Sequence, residues 1–463
     1  MEHITLNNIS FSYGDFEKKS LNNINLKINK GEVVLLCGAS GCGKSTLLQI
    51  MNGVLPEQKE GKLTGNIYID GQDASKLSTK ERSKYMGSVF QNPKTQFFHL
   101  NTTDELYFSA ANHLVSLDEM KIRLNNITQD FNIKSLLDRN IFMLSGGEKQ
   151  KIACASVAMN YPQLYLLDEP SSNLDQKSIE ELKEILKVLK EQGASIVIAE
   201  HRLYYALQIC DKVCYMQNGE IIQEYSVSDF MKIDDCKRRD MGLRSFHKLP
   251  LPHITNKINN DSIIIENLNV VYGNKTAISV DNLELPKHQI IAITGENGVG
   301  KSSFVNAFTG LLKTKNGLLN KEKLNYKKQQ KDSFMVMQDV NSQLYCESVI
   351  DELIHLTDES DEIIDQARHV LEQLNLLEYQ DEHPMILSGG QKQRLAIATA
   401  LFLEKKYVIF DEPTSGLDYD NMIRVSNILQ VLKNKVELIL VITHDMELIQ
   451  NCADFTVNFT KSK

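Results

Sequence analysis

The sequence lacks the features that would indicate a membrane-spanning or secreted protein. Its 463 residues contain no apolar run near the roughly 20 residues that a helix needs to cross a bilayer, since even residues 436–442 have the length of a strand and include Glu437. The first residues lack the basic stretch and apolar segment of a secretory signal. These absences predict a chain that does not cross a membrane by itself and that resides in the cytosol.

Paired cysteines and an excess of basic charge are missing as well. The eight cysteines contain no CxxC pair, which predicts reduced thiols in the cores of strands and helices. Acidic residues outnumber basic ones, 60 to 51, and the formal net charge is -9. This balance argues against broad affinity for nucleic acids, which requires Lys and Arg to be in excess on one face.

The chain does contain a phosphate-loop pattern, G-x-x-x-x-G-K-[ST], at residues 38–45 and again at residues 295–302. Each copy follows an apolar strand and opens a helix, so backbone N–H groups and the helix N-terminus can surround phosphate oxygens. A lysine in each loop adds a full positive charge, and the serine after it can place a hydroxyl on Mg²⁺. The loop residues expected to bind ATP are Gly38, Ser40, Gly41, Gly43, Lys44, Ser45 and Thr46 in the first copy, and Gly295, Asn297, Gly298, Gly300, Lys301, Ser302 and Ser303 in the second.

One cysteine, Cys42, differs from the others because it lies inside the first phosphate loop. Its thiol is close in sequence to the residues that are expected to hold the phosphates. Alkylation of Cys42 is therefore predicted to block nucleotide binding at that loop.

An apolar strand that ends in two carboxylates also occurs twice, as Asp168-Glu169 and as Asp411-Glu412. Adjacent residues of a strand point to opposite sides, so the two acids of each pair are expected to divide the work. Asp168 and Asp411 would hold Mg²⁺, while Glu169 and Glu412 would polarise the attacking water.

The spacing of the motifs indicates that the two sets are repeats. Ser145, in a Leu-Ser-Gly-Gly segment, precedes Asp168 by 23 residues, and Ser388 in a second such segment precedes Asp411 by the same distance. A histidine follows each aspartate by 33 residues. Duplication and divergence explain this shared spacing better than chance.

The glycine-rich segments at residues 144–150 and 387–394 resemble the signature of ABC ATPases, and the resemblance covers nearly the whole chain. It implies an α/β fold with two ABC nucleotide-binding domains, each with a P-loop RecA-like α/β core and with antiparallel β and α-helical subdomains. The expected bounds are 1–228 for the first domain, 229–260 for a linker and 261–463 for the second domain. Two domains of this size agree with the length of the chain.

The same resemblance implies roles for further residues. Tyr13 and Tyr272 would stack on adenine, and the alternative is that each is a packing residue at a strand end. The signature of one ABC domain caps the ATP of the other, so the two domains are expected to form an intramolecular head-to-tail pair with two hydrolytically competent sites. The remaining implied residues are Gln91 and Gln338 in the Mg²⁺ shell, His201 and His444 at the γ-phosphate, Asp175 and Asp418 in the D-loops, and Ser145, Gly147, Ser388 and Gly390 in the signatures.

The expected linker contains the basic run Lys237-Arg238-Arg239. Such a run is typical of a solvated surface, and a contact with anionic lipid headgroups is the alternative.

The segments that follow Gln91 and Gln338, which match the Q-loop glutamines of ABC ATPases, have a shared pattern. A second glutamine comes five positions later, Gln96 in one copy and Gln343 in the other, and large apolar residues follow it. This pattern resembles the ATPases of energy-coupling-factor (ECF) importers, in which the segment receives a membrane scaffold protein. The alternative interpretation is an ordinary helix start with packing aromatic residues.

The ECF resemblance implies a function at the cytoplasmic face of the cell membrane. The chain would energise uptake of a vitamin, a vitamin precursor or a transition-metal ion, together with an integral membrane scaffold subunit and a small membrane substrate-binding subunit. ATP and Mg²⁺ would be the cofactors. Two alternatives stay open, namely another ABC transporter, including an exporter, and a soluble ABC ATPase that acts on ribosomes or DNA.

Overall fold

The computed structural model describes residues 2–14, 19–252, 261–273, 275–314, 316–337, 340–357 and 360–460, with only the backbone of Lys275. The chain divides into two compact units. The first comprises Met1–Lys248 with Asp418–Asp420, and the second comprises Leu249–Leu417 with Asn421–Lys463. Among the described residues, no helix combines the length and the apolar character that crossing a membrane requires.

The first unit contains ten strands and ten α-helices among its described residues. The strands are β1 (Glu2–Tyr13), β2 (Leu21–Asn29), β3 (Val33–Cys37), β4 (Gly61–Ile69), β5 (Gln72–Asp73), β6 (Met86–Val89), β7 (Leu164–Asp168), β8 (Ser195–Ala199), β9 (Lys212–Gln217) and β10 (Glu220–Ser226). The helices are α1 (Lys44–Met51), α2 (Val54–Glu57), α3 (Thr79–Arg82), α4 (Thr102–Asn112), α5 (Leu117–Asp130), α6 (Gly146–Ala158), α7 (Gln176–Glu191), α8 (Leu203–Ala206), α9 (Val227–Phe230) and α10 (Asp235–Asp240).

The second unit follows the same plan with fewer elements among its described residues. Its strands are β11 (Ser262–Tyr272), β12 (Lys275–Pro286), β13 (Ile290–Thr294), β14 (Leu318–Leu319), β15 (Glu322–Lys323), β16 (Ser333–Val336), β17 (Tyr407–Asp411), β18 (Leu438–Ile442) and β19 (Phe455–Asn458). Its helices are α11 (Lys301–Phe308), α12 (Tyr326–Asp332), α13 (Asp351–Ile354), α14 (Asp361–Gln373), α15 (Gly389–Phe402), α16 (Tyr419–Lys433) and α17 (Met446–Cys452).

Each unit has one mainly parallel sheet and one antiparallel sheet. The parallel sheet has the strand order β10-β9-β3-β8-β7-β6 in the first unit and β16-β17-β18-β13-β19 in the second. The antiparallel sheets have the orders β2-β1-β4-β5 and β12-β11-β14-β15. The α/β class with antiparallel β subdomains is therefore as the sequence predicts.

The parallel sheet of the first unit is buried on both faces. All five residues of β3 are buried, and they alternate between two apolar clusters. Val33 and Leu35 belong to one cluster, whereas Val34 and Leu36 belong to the other. This is why the strand is apolar throughout, as strands between two layers are. The carboxyl ends of β3 and β7 lie at the same edge of the sheet, which brings the phosphate loop and the acid pair together.

The first unit extends to Lys248, beyond the expected domain boundary at residue 228. The side chains of Phe230 and Phe246 are buried, and their ring centroids lie 4.6 Å apart. These rings pack residues 229–248 against the first unit, although the expected linker includes these residues. Of the remaining linker residues, 253–260 lie outside the described part of the chain.

The basic run of the expected linker is not a fully solvated surface. Arg238 is buried in the first unit, where its Nη1 donates to the carbonyl of Leu243 at 2.7 Å and its Nε to Asp235 at 3.0 Å. A buried guanidinium needs such partners because an unpaired buried charge is costly. Arg238 therefore has a structural role that its position in a basic run does not indicate.

Candidate nucleotide-binding sites

The first phosphate loop lies between β3 and α1 in a backbone conformation that depends on glycine. Gly43 precedes α1 with φ 104°, a region that other residues rarely adopt. A Cβ atom at Gly43 would lie 2.6 Å from the side chain of Leu21. Lys44 is buried, and its Nζ donates to the carbonyls of Gly38 at 2.9 Å and Ala39 at 3.1 Å. The lysine charge is thus held inside the curve of the loop.

A cavity of about 710 Å³ opens over this loop. Cavities of this size hold small molecules and cofactors in proteins. The N-terminus of α1 and the buried Lys44 give it the positive potential that a polyphosphate requires. The residues that line the cavity are Tyr13, Lys19, Ser20, Ser40, Gly41, Gly43, Lys44, Ser45, Thr46, Glu169, His201, Asn218 and Gly219.

Four of these lining residues, Lys19, Ser20, Asn218 and Gly219, were not expected from the motifs. Asn218 and Gly219 form the tight turn between β9 and β10, and both have positive φ. An Asn-Gly pair is a recognisable hairpin signal in a sequence. It does not indicate, however, that the hairpin lies beside a loop almost two hundred residues earlier.

Oxygen ligands suited to a magnesium ion meet beside the loop. Asp168 ends β7, and its Oδ1 accepts a hydrogen bond from the Ser45 hydroxyl at 2.9 Å. Burial raises the pKa of Asp168 to about 6. A buried carboxylate beside a hydroxyl is the type of oxygen donor set that Mg²⁺ prefers. The two residues therefore fit the ion, and a bound cation would favour the ionised carboxylate.

Glu169 leaves the strand immediately after Asp168. Its φ is 43°, in the left-handed region, and its N–H donates to the carbonyl of Ala199 at 2.8 Å. The expectation that strand alternation separates the two acids is therefore wrong. The strand ends at Asp168, and a backbone turn aims the glutamate instead. Strained residues of this kind cluster at functional sites.

The Glu169 carboxylate lies between two predicted site residues. Gln91 Nε2 donates to Glu169 Oε2 at 2.8 Å, and His201 Nε2 lies 3.5 Å from Oε1. Burial raises the pKa of Glu169 to about 7. Burial, with Lys44 as the next cause, lowers the pKa of His201 to about 3, so the imidazole is neutral near pH 7. The structure thus brings Gln91, Glu169 and His201 together.

A buried carboxylate that the motifs did not predict supports this histidine. Glu200 Oε2 accepts the backbone N–H of His201 at 2.8 Å, and Oε1 accepts the Tyr205 hydroxyl at 2.9 Å. The Ser171 hydroxyl also donates to Glu200. Burial raises the pKa of Glu200. Glu200 thereby joins the strand end that carries His201 to the turn that follows Glu169.

The second phosphate loop repeats the main-chain arrangement of the first. Gly300 precedes α11 with φ 102°, and a Cβ there would lie 2.6 Å from the carbonyl of Ala277. Lys301 Nζ donates to the carbonyls of Gly295 at 2.6 Å and Glu296 at 3.1 Å. In the rest of the loop, Gly298 has positive φ, Ser302 is exposed and Ser303 is half-buried.

The histidine of the second unit has different neighbours from its counterpart. His444 Nε2 lies 3.1 Å from Lys301 Nζ and 3.2 Å from the Asn297 amide oxygen. It lies 3.8 Å from Glu412 Oε1. The structure therefore brings Asn297, Lys301, Glu412 and His444 together.

The second acid pair has the same backbone geometry as the first. Asp411 ends β17, and burial raises its pKa. Glu412 has φ 50°, and its N–H donates to the carbonyl of Ile442 at 2.8 Å. The Thr443 hydroxyl donates to Glu412 Oε2 at 3.2 Å. The predicted Mg²⁺ ligand Gln338 lies outside the described residues.

Both signature serines begin a helix. Ser145 caps α6 in a capping box with Glu148, and Ser388 caps α15 in a capping box with Gln391. Gly147 has no room for a side chain, because a Cβ there would lie 2.1 Å from Ser178 Oγ. Gly390 lies at the corresponding place in α15. In each unit, the signature therefore forms the N-terminus of a helix.

The two candidate adenine-stacking tyrosines differ in their surroundings. The Tyr13 hydroxyl lies 3.1 Å from Thr46 Oγ1, and the Tyr13 ring packs edge-on against Phe11 at 4.9 Å between centroids. Tyr13 also lines the cavity. Tyr272 is 52% exposed at the end of β11. Adenine stacking stays a prediction at both positions.

Two α/β units, each with a phosphate loop, a half-buried acid pair and a histidine beside the glutamate, define a tandem nucleotide-hydrolysing protein. The comparisons with known proteins give the family. Residues 21–172 and 278–415 match the family model described as "ABC transporter", and the chain belongs to this family. It is therefore an ATPase with two ATP-binding domains of the ABC type.

Relatives align along almost the whole chain. A "Putative ABC transporter ATP-binding protein" of Treponema denticola is 40% identical over 96% of this chain and 93% of its own length. The "Putative HMP/thiamine import ATP-binding protein YkoD" of Bacillus subtilis is 30% identical over 98% of this chain and 89% of its own length. Both relatives bear the name of an ATP-binding protein.

A solved structure also aligns with both units. A chain in a model of ribosome-bound archaeal Pelota and ABCE1 superposes with a TM-score of 0.70. The match covers 98% of this chain and 76% of that chain, at 21% sequence identity. At this identity the likeness shows the tandem ABC fold alone.

Proposed function

We propose that the chain is the energising ATPase of an ECF-type importer at the cytoplasmic face of the cell membrane. Its partners would be an integral membrane scaffold subunit and a small membrane subunit that captures the cargo. A vitamin, a vitamin precursor or a transition-metal ion is the proposed cargo. ATP binding and hydrolysis by the two units would drive the transport cycle.

The observation that carries the proposal is a pair of exposed aromatic residues, one in each unit. Phe98 is 76% exposed and Tyr345 is 70% exposed, and each follows the second glutamine of its Q-loop segment by two residues. Aromatic side chains such as these are enriched in protein–protein contacts. The feature recurs in both repeats, at the same distance from the second glutamine.

Each aromatic residue is presented by the same buried glutamate clamp. Glu105 is buried, and its Oε2 accepts the N–H groups of Phe98 at 2.9 Å and His99 at 2.8 Å. In the second unit, Glu352 Oε1 accepts the N–H groups of Tyr345 and the next residue at 2.5 and 2.6 Å. A clamp of this kind holds the loop in one conformation. Each ring touches one side chain of its own unit, Phe108 or His355, and stays largely exposed.

The second glutamine of each segment has a structural reason as well. Gln96 Oε1 accepts the N–H of Phe90 at 3.2 Å, and Gln343 Oε1 accepts the N–H of Met337 at 2.7 Å. Each glutamine thus joins the segment to the residue that follows a parallel strand of its own unit. A load on the exposed ring would be transmitted to the strand end next to the Q-loop glutamine.

The relative from Bacillus subtilis supports an importer and a vitamin-class cargo. Its name describes HMP/thiamine import, and it aligns with 98% of this chain. The exposed aromatic residues Phe98 and Tyr345, one in each unit, agree with an ATPase that contacts a membrane scaffold protein.

In the proposed reaction, each unit uses its own residues for a defined task. Ser45, Gln91 and Asp168 would hold Mg²⁺ in the first unit, and Ser302, Gln338 and Asp411 would do so in the second. The bound ion neutralises charge on the phosphates. Glu169 and Glu412 would orient and polarise the attacking water, and His201 and His444 would contact the γ-phosphate. The head-to-tail pairing of the units through Ser145 and Ser388 stays a prediction.

The test is to isolate the tagged chain from its own cells in mild detergent and identify what accompanies it. We expect two hydrophobic polypeptides, one of them small. The variants Phe98→Ser and Tyr345→Ser should lose both polypeptides but still bind ATP. Leu114→Ser is the matched control, because Leu114 is 93% exposed and lies outside the aromatic segments.

Two results would contradict the proposal. Recovery of ribosomal or DNA-bound partners without a membrane protein would contradict the importer function, although the chain would still be an ATPase. Recovery of the same membrane partners by the double variant Phe98→Ser/Tyr345→Ser would show that the aromatic segments are not the contact.

A further inference from the structure

The second unit brings a cysteine, a glutamate and a histidine together beside its exposed aromatic residue, Tyr345. Cys346, Glu352 and His355 each offer one ligand atom, and these atoms lie within 4.8 Å of one another. Glu352 is buried, Cys346 is half-buried and His355 is exposed. The cluster is therefore fixed on one side and open to solvent on the other.

The first unit lacks two of these three side chains. Its glutamate clamp is the same, with Glu105 in the place of Glu352. The position that corresponds to Cys346 is His99, and the one that corresponds to His355 is Phe108. The loop is clamped in both units, so Cys346 and His355 are not needed to clamp it. Their presence beside Glu352 needs a separate explanation.

The hydrogen bonds of His355 orient its ring as those of a metal ligand are oriented. Its Nδ1 lies 3.1 Å from the backbone carbonyl of Glu352, and a carbonyl only accepts, so Nδ1 carries the proton. This leaves the lone pair on Nε2, which accepts the Tyr345 hydroxyl at 2.7 Å. Histidine ligands commonly donate their other ring N–H to a carbonyl or carboxylate, which sets the tautomer.

The glutamate has an oxygen to offer as well. The two backbone N–H groups of the clamp donate to Glu352 Oε1. Its Oε2 is the atom that can turn to a cation without releasing the clamp. The clamp holds the carboxylate in place as an outer shell of hydrogen bonds does around a metal ligand.

We propose that Cys346, Glu352 and His355 form a binding site for one divalent transition-metal ion, with Zn²⁺ as the best fit. A thiolate, an imidazole and a carboxylate are the three ligand types that zinc takes from proteins. Three protein ligands leave a fourth position for water. The proposal is independent of the importer function, because binding is measured on the chain alone.

Binding has a defined proton balance. Burial, with Glu352 as the next cause, raises the pKa of Cys346 to about 11, so the metal-free thiol carries its proton. The sulfur–metal bond forms as that proton leaves to solvent, and no electron is transferred. The Tyr345 hydroxyl gives up its bond to Nε2 in the same step. The ion would then join Cys346 to the histidine at the end of α13.

The experiment measures metal binding by the whole chain without nucleotide. After dialysis against a chelator, the protein is titrated with Zn²⁺ against a competing indicator and, separately, with Co²⁺ to record the thiolate-to-cobalt absorption band. The variants are Cys346→Ser, His355→Phe and Cys346→His. The last two carry the residue that the first unit has at the corresponding position. Cys236→Ser is the control, because Cys236 is an exposed thiol outside the cluster.

We expect the native chain and Cys236→Ser to bind the ion equally. Cys346→Ser and His355→Phe should each bind the ion at least about 10-fold more weakly. Removal of a residue that only supports a metal ligand already lowers metal affinity by about 10- to 100-fold. Cys346→His should keep Zn²⁺ binding but lose the thiolate band, which a purely structural cysteine would not predict. Equal Zn²⁺ titrations of the native chain, Cys346→Ser and His355→Phe would overturn the proposal, as would a cobalt band that persists in Cys346→Ser. Melting curves without metal check that the variants are folded.

Discussion

The two units hold the proposed catalytic glutamate in the same backbone conformation but support it with different side chains. Glu169 and Glu412 have φ values of 43° and 50°, and the N–H of each bonds to the end of the neighbouring strand. The residue before the histidine differs, however. In the first unit Glu200 binds the turn beyond Glu169, whereas in the second Thr443 binds Glu412 itself. Divergence has preserved the main-chain geometry and replaced the side chains that stabilise it.

The same contrast holds in the other parts of the site. The phosphate loops agree in their glycine conformations and in the lysine that binds two loop carbonyls. The loops differ at Cys42, where the second unit has Val299, and the tyrosines differ in exposure. Each difference offers a way to test whether the two sites work equally.

The largest effect is expected from the separate changes Glu169→Gln and Glu412→Gln. Each removes the proposed general base of one unit, which typically lowers the rate at that site by about 10²- to 10⁴-fold. Steady-state ATP hydrolysis by both single variants should fall well below that of the native chain. Equilibrium ATP binding, which should persist, is the control. A normal turnover rate in either variant would contradict equal involvement of the two sites.

Alkylation of Cys42 should abolish nucleotide binding at the first site and leave the second site intact. The Cys42 Sγ lies 3.7 Å from Lys44 Nζ, so an added group would occupy space beside the phosphate-binding lysine. Binding is measured by titration with a fluorescent ATP analogue. The control is Cys42→Val, which copies Val299 of the second loop and should bind nucleotide before and after treatment. Undiminished binding by the fully modified native chain would refute the prediction.

A smaller effect is expected from Glu200→Ala. The change leaves the buried partners of the Glu200 carboxylate without an acceptor, which costs about 1–3 kcal/mol in the free energy of unfolding. Because His201 loses its fixed backbone position, hydrolysis at the first site should fall as well. Thr443→Ala removes a hydroxyl that donates to Glu412 and accepts the N–H of Asp445, and it should cost about 1–2 kcal/mol. Denaturant unfolding of both variants decides the order, and a larger loss for Thr443→Ala would contradict it.

The smallest effect is expected at the two tyrosines. If both rings stack on adenine, Tyr13→Ala and Tyr272→Ala should each lose about 0.5–1.5 kcal/mol of ATP affinity. The loss should be greater at Tyr13, because that ring is already held by Thr46 and Phe11. Tyr13→Phe, which keeps the ring, is the control. Unchanged ATP affinity in Tyr13→Ala would make that tyrosine a packing residue.

The sequence by itself determined the parts of the protein that depend on neighbouring residues in the chain. The phosphate loops need glycines, a lysine and a hydroxyl within nine residues, and the signature caps need a serine and a glutamate or glutamine three positions later. Conformations of this kind are decided by local sterics and short hydrogen bonds. The uninterrupted apolar sequence of the strand before each loop also predicts that the strand is buried, since a buried parallel strand is apolar throughout.

The tertiary structure alone decided the features that join distant segments. The Glu200 contact to Ser171 spans 29 residues, and the Asn218-Gly219 turn meets a cavity that is lined mainly by residues 13–46. The alternation of side chains along a strand does not describe the direction of Glu169. The strand ends before this residue, and its backbone turns where its N–H donates to the carbonyl of Ala199. Bringing distant segments together costs conformational entropy, and the burial of the folded core offsets that cost. Because these contacts depend on the whole core, a local sequence pattern does not predict them.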